Sequence, residues 1–245
     1  MVPFKLTDEF LERVRQFIAD AQNDELVGLF EDLHYADIAE IINELDSSES
    51  VYLIRLLDSE RTGDVLTELD EDSREEILGQ LSAAEIATEL SEIDTDDAVD
   101  IITELSDELA KEVISEIEDR EYAAEILELM RYDEDTAGGL MAKELIKVNE
   151  NWNITTCVRE MRAQAEYVTR VHSIYVVNDE NVLKGRLSLK DLLTSPNDAH
   201  IKDVYIPKVD FVSVNERAEE VAKVMAKYDL EAIPVVDEMN RLVGR

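Results

Sequence analysis

Between Asn23 and Met130 the apolar and polar positions repeat every 12 residues, dividing the stretch into nine consecutive 12-mers without insertion. The eighth place of each holds Phe30, Ile42, Ile54, Leu66, Leu78, Leu90, Ile102, Ile114 and Ile126. The eleventh holds Leu33, Leu45, Leu57, Leu69, Leu81, Ile93, Leu105, Ile117 and Leu129. Places three apart share one face of a helix. A fixed beat of this kind predicts stacked repeats, each covering its apolar face with its neighbours. Each 12-mer accommodates about eight or nine helical residues plus a corner, so two units make one hairpin and the series winds as an α-superhelix, right- or left-handed. Many units open beside a residue able to cap a helix: Asp46 with Ser47, Asp58 with Ser59, Asp70, Ser82, Asp94 with Thr95, and Ser106 with Asp107. Ahead of the repeats, Thr7–Asp20 reads as an amphipathic helix with Phe10, Leu11, Val14 and Ile18 on one side. The repeats contain no proline, and Gly28, Gly63 and Gly79 are their only glycines.

The pattern changes at Tyr132-Asp-Glu-Asp-Thr-Ala-Gly-Gly-Leu-Met141. Beyond Gly138-Gly139, strands are predicted at 146–148, 173–177 and 182–187, with helices at 154–166 and 189–194. The order then recurs as strand 211–214, helix 216–228, strand 232–236 and a last strand from Arg241. Ser173-Ile-Tyr-Val-Val177 corresponds to Ala232-Ile-Pro-Val-Val236, and Gly185 follows Ile174 by the spacing that separates Gly244 from Ile233. This marks an internal duplication, with Ser195–His200 as the linker. The second copy is truncated: Gly185 is followed by Arg-Leu-Ser-Leu-Lys-Asp-Leu-Leu, whereas Gly244 is followed by Arg245 alone. The expected domains are therefore 1–131, a junction at 132–142, a first module at 143–198 and an incomplete second module at 199–245.

Charge follows the same division. Residues 1–130 carry 39 acidic and 8 basic side chains, a net of -31 out of the -35 of the whole chain. Nucleic acid is excluded as a partner of the acidic half, because phosphate neutralisation needs clustered Lys and Arg. The regular aliphatic places argue for folded structure despite the charge. The lone Cys157 excludes an intramolecular disulfide and reads as a buried structural thiol. No apolar run of about 18 residues occurs and no signal-type segment opens the chain, so a soluble, cytosolic polypeptide is expected. His34, His172 and His200 lack zinc spacing, and no nucleophile–base pair stands out, so no enzyme activity is expected.

These residues together resemble a known family. Leu187-Ser-Leu-Lys-Asp191 after a β-hairpin is similar to the close of a CBS (cystathionine-β-synthase-type) module. The Ala-Gly-Gly-Leu-Met junction after an acidic turn, and Lys227-Tyr-Asp-Leu-Glu-Ala-Ile-Pro-Val-Val-Asp237, resemble the MgtE-type magnesium transporters. The resemblance implies a multidomain α plus α/β fold: a superhelical N domain, then a tandem CBS pair. It further implies a homodimer formed through the CBS modules, a transmembrane pore domain outside this chain, and a place on the cytoplasmic face of the membrane. The implied role is magnesium sensing, in which Mg2+ bridges carboxylates of the N domain and the CBS pair and favours a compact, pore-closing state.

Ligand positions carried over from the family fall on Asp64, Asp96 and Asp100 in the acidic half, with Asp97 adjacent, and on Glu219 and Asp229 in the second module. Asp96 and Asp100 lie one helical turn apart; Asp96 and Asp97 also suit a helix N-terminus through its dipole alone. Asp64 stands where the family leads one to expect glutamate, and Arg217 where an acidic residue is expected. Magnesium takes oxygen ligands from one or two carboxylates and keeps waters, so no dense cage is required. CBS pairs also bind adenine nucleotides, and Ser188 and Asp191 occupy the matching places; a strand-end hydrogen bond and a helix cap are their ordinary reading. Two other functions stay open: an adenine-nucleotide sensor, and a helical-repeat scaffold for a partner protein.

Overall fold

The computed structural model describes residues 4–168 and 170–245. Ten helices precede the first strand: α1 (Asp8–Ala19), α2 (Asn23–Phe30), α3 (Tyr35–Asn43), α4 (Ser47–Ile54), α5 (Ser59–Glu68), α6 (Glu71–Leu78), α7 (Ala83–Leu90), α8 (Thr95–Glu104), α9 (Asp107–Glu116) and α10 (Arg120–Leu129). Their starts follow the caps. Asp46, Asp58, Ser82 and Ser106 each accept an amide hydrogen bond in the first turn, with full capping boxes at Asp46/Glu49 and Ser82/Glu85. Asp70 holds the cap position of α6 without a side-chain bond.

Place eight of the 12-residue beat is buried in every unit except at Ile114, where Val113 takes the inner position. Place eleven does not share that helical face throughout. Helices α2, α4, α6 and α7 end on place eight, so Leu33, Leu57, Leu81 and Ile93 sit in the corner that follows. A corner residue can still cover the core, and Leu81 and Ile93 are buried there. Helices two apart pack together: α3 on α5, α5 on α7, α7 on α9 and α4 on α6. The structural period is thus two 12-mers.

Four arginines of this region serve helix C-termini, where carbonyls lack intrahelical partners. Arg15 donates to the carbonyl of Glu44, Arg55 to Gln80, Arg61 to Phe30 and Glu31, and Arg74 to Leu66. Arg74 also forks onto Glu104, at 2.8 and 2.5 Å.

Two βαββ modules follow. The first has β1 (Ile146–Asn149), α11 (Ile154–Gln164) and a 3-10 turn at Ala165–Tyr167, then β2 (Ile174–Val177), β3 (Leu183–Leu187) and α12 (Leu189–Thr194). The second has β4 (Val212–Ser213), α13 (Ala218–Tyr228), β5 (Val235–Val236) and β6 (Leu242–Gly244). In each sheet the first strand runs parallel to the second and the second antiparallel to the third. The second module's strands are shorter than expected. Pro234 has no N–H for a ladder, and the carbonyl of Val214 accepts from Gly138 of the junction. Helix α13 also opens later than predicted, with Arg217 as its cap residue, and α11 gives way to the 3-10 turn before Glu166.

The duplication extends to backbone detail. Asn181 and Asn240, both at positive φ, turn the two hairpins. Gly185 and Gly244 admit a crossing strand: an added Cβ would stand 2.1 Å from the Ile206 carbonyl at the first and 2.6 Å from the Met141 sulfur at the second. Arg186 exchanges both backbone hydrogen bonds with Ile206, and Arg245 does the same with Ala142. Each module thus receives the segment leading into the other. Cys157 packs in the first module's core with Ile146, Val148 and Val176, and burial pushes its thiol up to about 11.

The chain divides into two compact units. One contains residues 4–93 and 100–123; the other contains residues 94–99 and 124–245. The first turn of α8 therefore belongs with the two modules. Among the described residues no helix is long and apolar enough to cross a membrane.

Candidate functional site

Twelve-residue spacing puts Asp94 where earlier units hold the caps Asp58, Asp70 and Ser82, directly before α8. Asp96 and Asp97 occupy the first turn of that helix. The helix dipole favours acids here, but another carboxylate also approaches. Glu144, between the junction and β1, receives the Thr95 N–H on Oε1 at 3.1 Å and the Thr95 hydroxyl on Oε2 at 3.0 Å. The same Thr95 oxygen accepts the Lys143 N–H at 2.9 Å, and Thr95 is fully buried.

Arg245 closes the opposite side. Its Nε donates to the Glu144 carbonyl and its Nη2 to Asp94 Oδ2, both at 2.7 Å. The backbone pairing with Ala142, fixed by the duplicated fold, places that guanidinium.

Asp94, Asp96 and Glu144 each bring one carboxylate oxygen within 4.8 Å of the other two, and all three residues are half-buried. Two full charges at such a distance repel by about 3 kcal/mol at an effective dielectric near 20. Burial, reinforced by the Asp94 charge, pushes Glu144 up to about 7. Asp96 is raised for the same reasons, opposed by the backbone N–H groups of Asp97 and Asp96 and then by Arg245. Its Oδ1 is buried and has no hydrogen-bond partner. Three acids against one guanidinium leave excess negative charge that a hard divalent cation suits, since such ions take carboxylate oxygens.

Of the sequence candidates, this cluster takes up Asp96. Asp97 is adjacent and exposed; Asp100, also exposed, acts electrostatically on Arg74. Asp64 lies half-buried on α5. Glu219 is exposed and paired with Lys223 at 2.9 Å. Asp229 ends α13 in the left-handed region, φ 53°. Ten residues of helix put it roughly 15 Å from Glu219 along the axis, too far for one ion. Ser188 caps α12, accepting the Asp191 N–H at 3.5 Å. In the sequence Asp94 and Thr95 read only as residues able to cap a helix, and the pairing of Thr95 with Glu144 is not visible because nothing periodic links positions 49 residues apart. The matched spacing of Gly185 and Gly244 marks the duplication in the sequence, but it does not single out Arg245 as part of a site.

Helical repeats of 12-residue units followed by a duplicated βαββ pair define a protein of the CBS-containing class. Residues 33–135 match the model of the MgtE intracellular N domain, and residues 137–197 and 201–245 match the CBS domain. The chain belongs to the MgtE family, to its cytosolic part. It is 42% identical over 116 residues to the magnesium transporter MgtE of Thermus thermophilus, a segment covering 47% of this chain and 26% of that protein. It is 33% identical over 117 residues to the magnesium transporter MgtE of Enterococcus faecalis, covering 48% and 26%. The matched segment thus spans about a quarter of these relatives. Among solved structures, the cytosolic domain of the Mg2+ channel MgtE in complex with ATP aligns with a TM-score of 0.87 at 30% identity, covering 96% of this chain and 95% of that one. The soluble part of a magnesium transporter aligns with a TM-score of 0.84 at 28% identity, covering 97% and 93%.

Proposed function

We propose that this chain is the cytosolic magnesium-sensing region of a magnesium transporter, in which Mg2+ occupancy favours a compact, pore-closing state. The observation that carries this reading is the buried, unpartnered Asp96 oxygen beside Asp94 and Glu144, in a fold that matches the cytosolic domain of a Mg2+ channel along nearly its whole length. Asp64, Asp97, Asp100, Glu219 and Asp229 are the further ligand candidates, and the CBS modules are the proposed homodimer surface. Calorimetric titration with Mg2+ at constant ionic strength, paired with small-angle scattering, tests the proposal. Saturable binding that Asp96→Asn weakens, with compaction beyond that given by matched sodium, is expected. No binding and no compaction would refute it.

A nucleotide arm has its own support, because the solved relative with the TM-score of 0.87 was crystallised with ATP. Under this reading Ser188 and Asp191 contact the ribose of an adenine nucleotide. ATP titration of the wild type and of Asp191→Ala decides it: equal binding by both would remove Asp191 from that role.

A further inference from the structure

Glu144 is the least explained member of the carboxylate cluster. Both of its oxygens already accept hydrogen bonds from one residue, Thr95, through its backbone N–H and its hydroxyl. The hydroxyl oxygen in turn holds the Lys143 N–H, so Thr95 joins the start of α8 to both residues of the Lys143–Glu144 pair. Asp94 is likewise engaged, by Arg245 at 2.7 Å. That leaves Asp96 Oδ1 as the buried cluster oxygen with no hydrogen-bond partner. Thr95 carries no charge and cannot supply a carboxylate ligand, yet it donates to both side-chain oxygens of Glu144.

We infer that Thr95 and Glu144 act as a clasp whose task is to position the Asp96 carboxylate for a divalent cation, Thr95 being a positioning residue and not a ligand. The inference rests on the proposed Mg2+ binding at Asp96. The clasp fixes the first turn of α8 at its N1 amide, one residue before Asp96. Loosening it lets that carboxylate rotate toward water, where it loses its fixed aim. Outer-shell partners of metal ligands commonly contribute 10–100-fold in affinity, and the same range is expected for Thr95.

The test is calorimetric titration of the whole chain with Mg2+ at constant ionic strength, using wild type, Asp96→Asn, Thr95→Val, Thr95→Ser and Glu144→Ala, each first checked for helix content by circular dichroism. Thr95→Val keeps every carboxylate and the side-chain volume; it should weaken Mg2+ binding at least tenfold. Thr95→Ser restores the hydroxyl and should bind within about twofold of wild type. Glu144→Ala combined with Thr95→Val should lose no more than the worse single variant, because both remove one clasp. Thr95→Val binding like wild type while Asp96→Asn and Glu144→Ala lose affinity would overturn the clasp and make Glu144 a direct ligand, leaving the Mg2+ reading intact. Unchanged binding in Asp96→Asn would instead remove the reading itself, and the clasp with it. Should Thr95→Val not fold, Thr95→Ser and Thr95→Ala carry the same comparison: equal affinity in those two variants overturns the inference.

Discussion

Replacing Glu144 by Gln isolates the electrostatic cost of the α8 cluster. In the folded protein burial and Asp94 raise the Glu144 carboxyl from 4.5 to about 7, with Asp96 and Arg245 also facing it. Each pKa unit corresponds to about 1.4 kcal/mol, and the carboxylate's partial exposure reduces the full shift to roughly 2 kcal/mol. The sign is that of an acid whose folded pKa lies above its unfolded one. Between the two values the folded state holds more protons, so stability falls as pH rises from about 4.5 to about 7 and is level above. Gln is isosteric, keeps an acceptor for the Thr95 N–H, and has no proton to lose. Glu144→Gln should therefore match wild type near pH 5 and exceed it by roughly 2 kcal/mol at pH 8. For a chain of this size that is a Tm gain of about 4–8 °C. Thermal melts in chelator-containing buffer at pH 5, 6, 7 and 8, at fixed ionic strength, measure it. A difference that does not change with pH, or a variant less stable than wild type at pH 8, would refute the reasoning.

Other outcomes follow from the same structure. Gly185→Ala should destabilise by about 3 kcal/mol, since its Cβ would meet the Ile206 carbonyl and the Pro207 backbone. Gly28→Ala meets nothing within 4 Å inside α2 and should instead stabilise by about 0.5–1 kcal/mol; urea unfolding compares the two. Arg74→Met should cost roughly 2–3 kcal/mol, because the Arg74–Glu104 pair is largely covered, at 13% and 24% side-chain exposure. Arg55→Met should cost less than about 1 kcal/mol, its pair with Glu85 being 51% and 40% exposed; equal losses in the two variants would contradict this assignment.

The helical half was largely legible because its information is local. A 12-residue beat, caps at Asp46, Asp58, Ser82 and Ser106, and the absence of proline each act within one or two turns of helix. The shift of place eleven into corners was less legible, since helix length within a repeat depends on how the next unit packs. The paired modules were readable through Gly185 and Gly244, whose lack of a side chain is required by a crossing strand. The short second-module strands were not, because the junction residues that satisfy the Val214 and Glu216 carbonyls lie far away in sequence.

By itself the sequence determined the repeat, the duplication, the charge division and the family resemblance, all of which depend on residue spacing along the chain. Only the tertiary structure decided that Asp96 stands with Asp94 and Glu144, that Arg245 balances one of the three, and that Thr95 holds another. Burial and proximity set the charge state of such a cluster, and both are created by segments that meet only after the chain has folded.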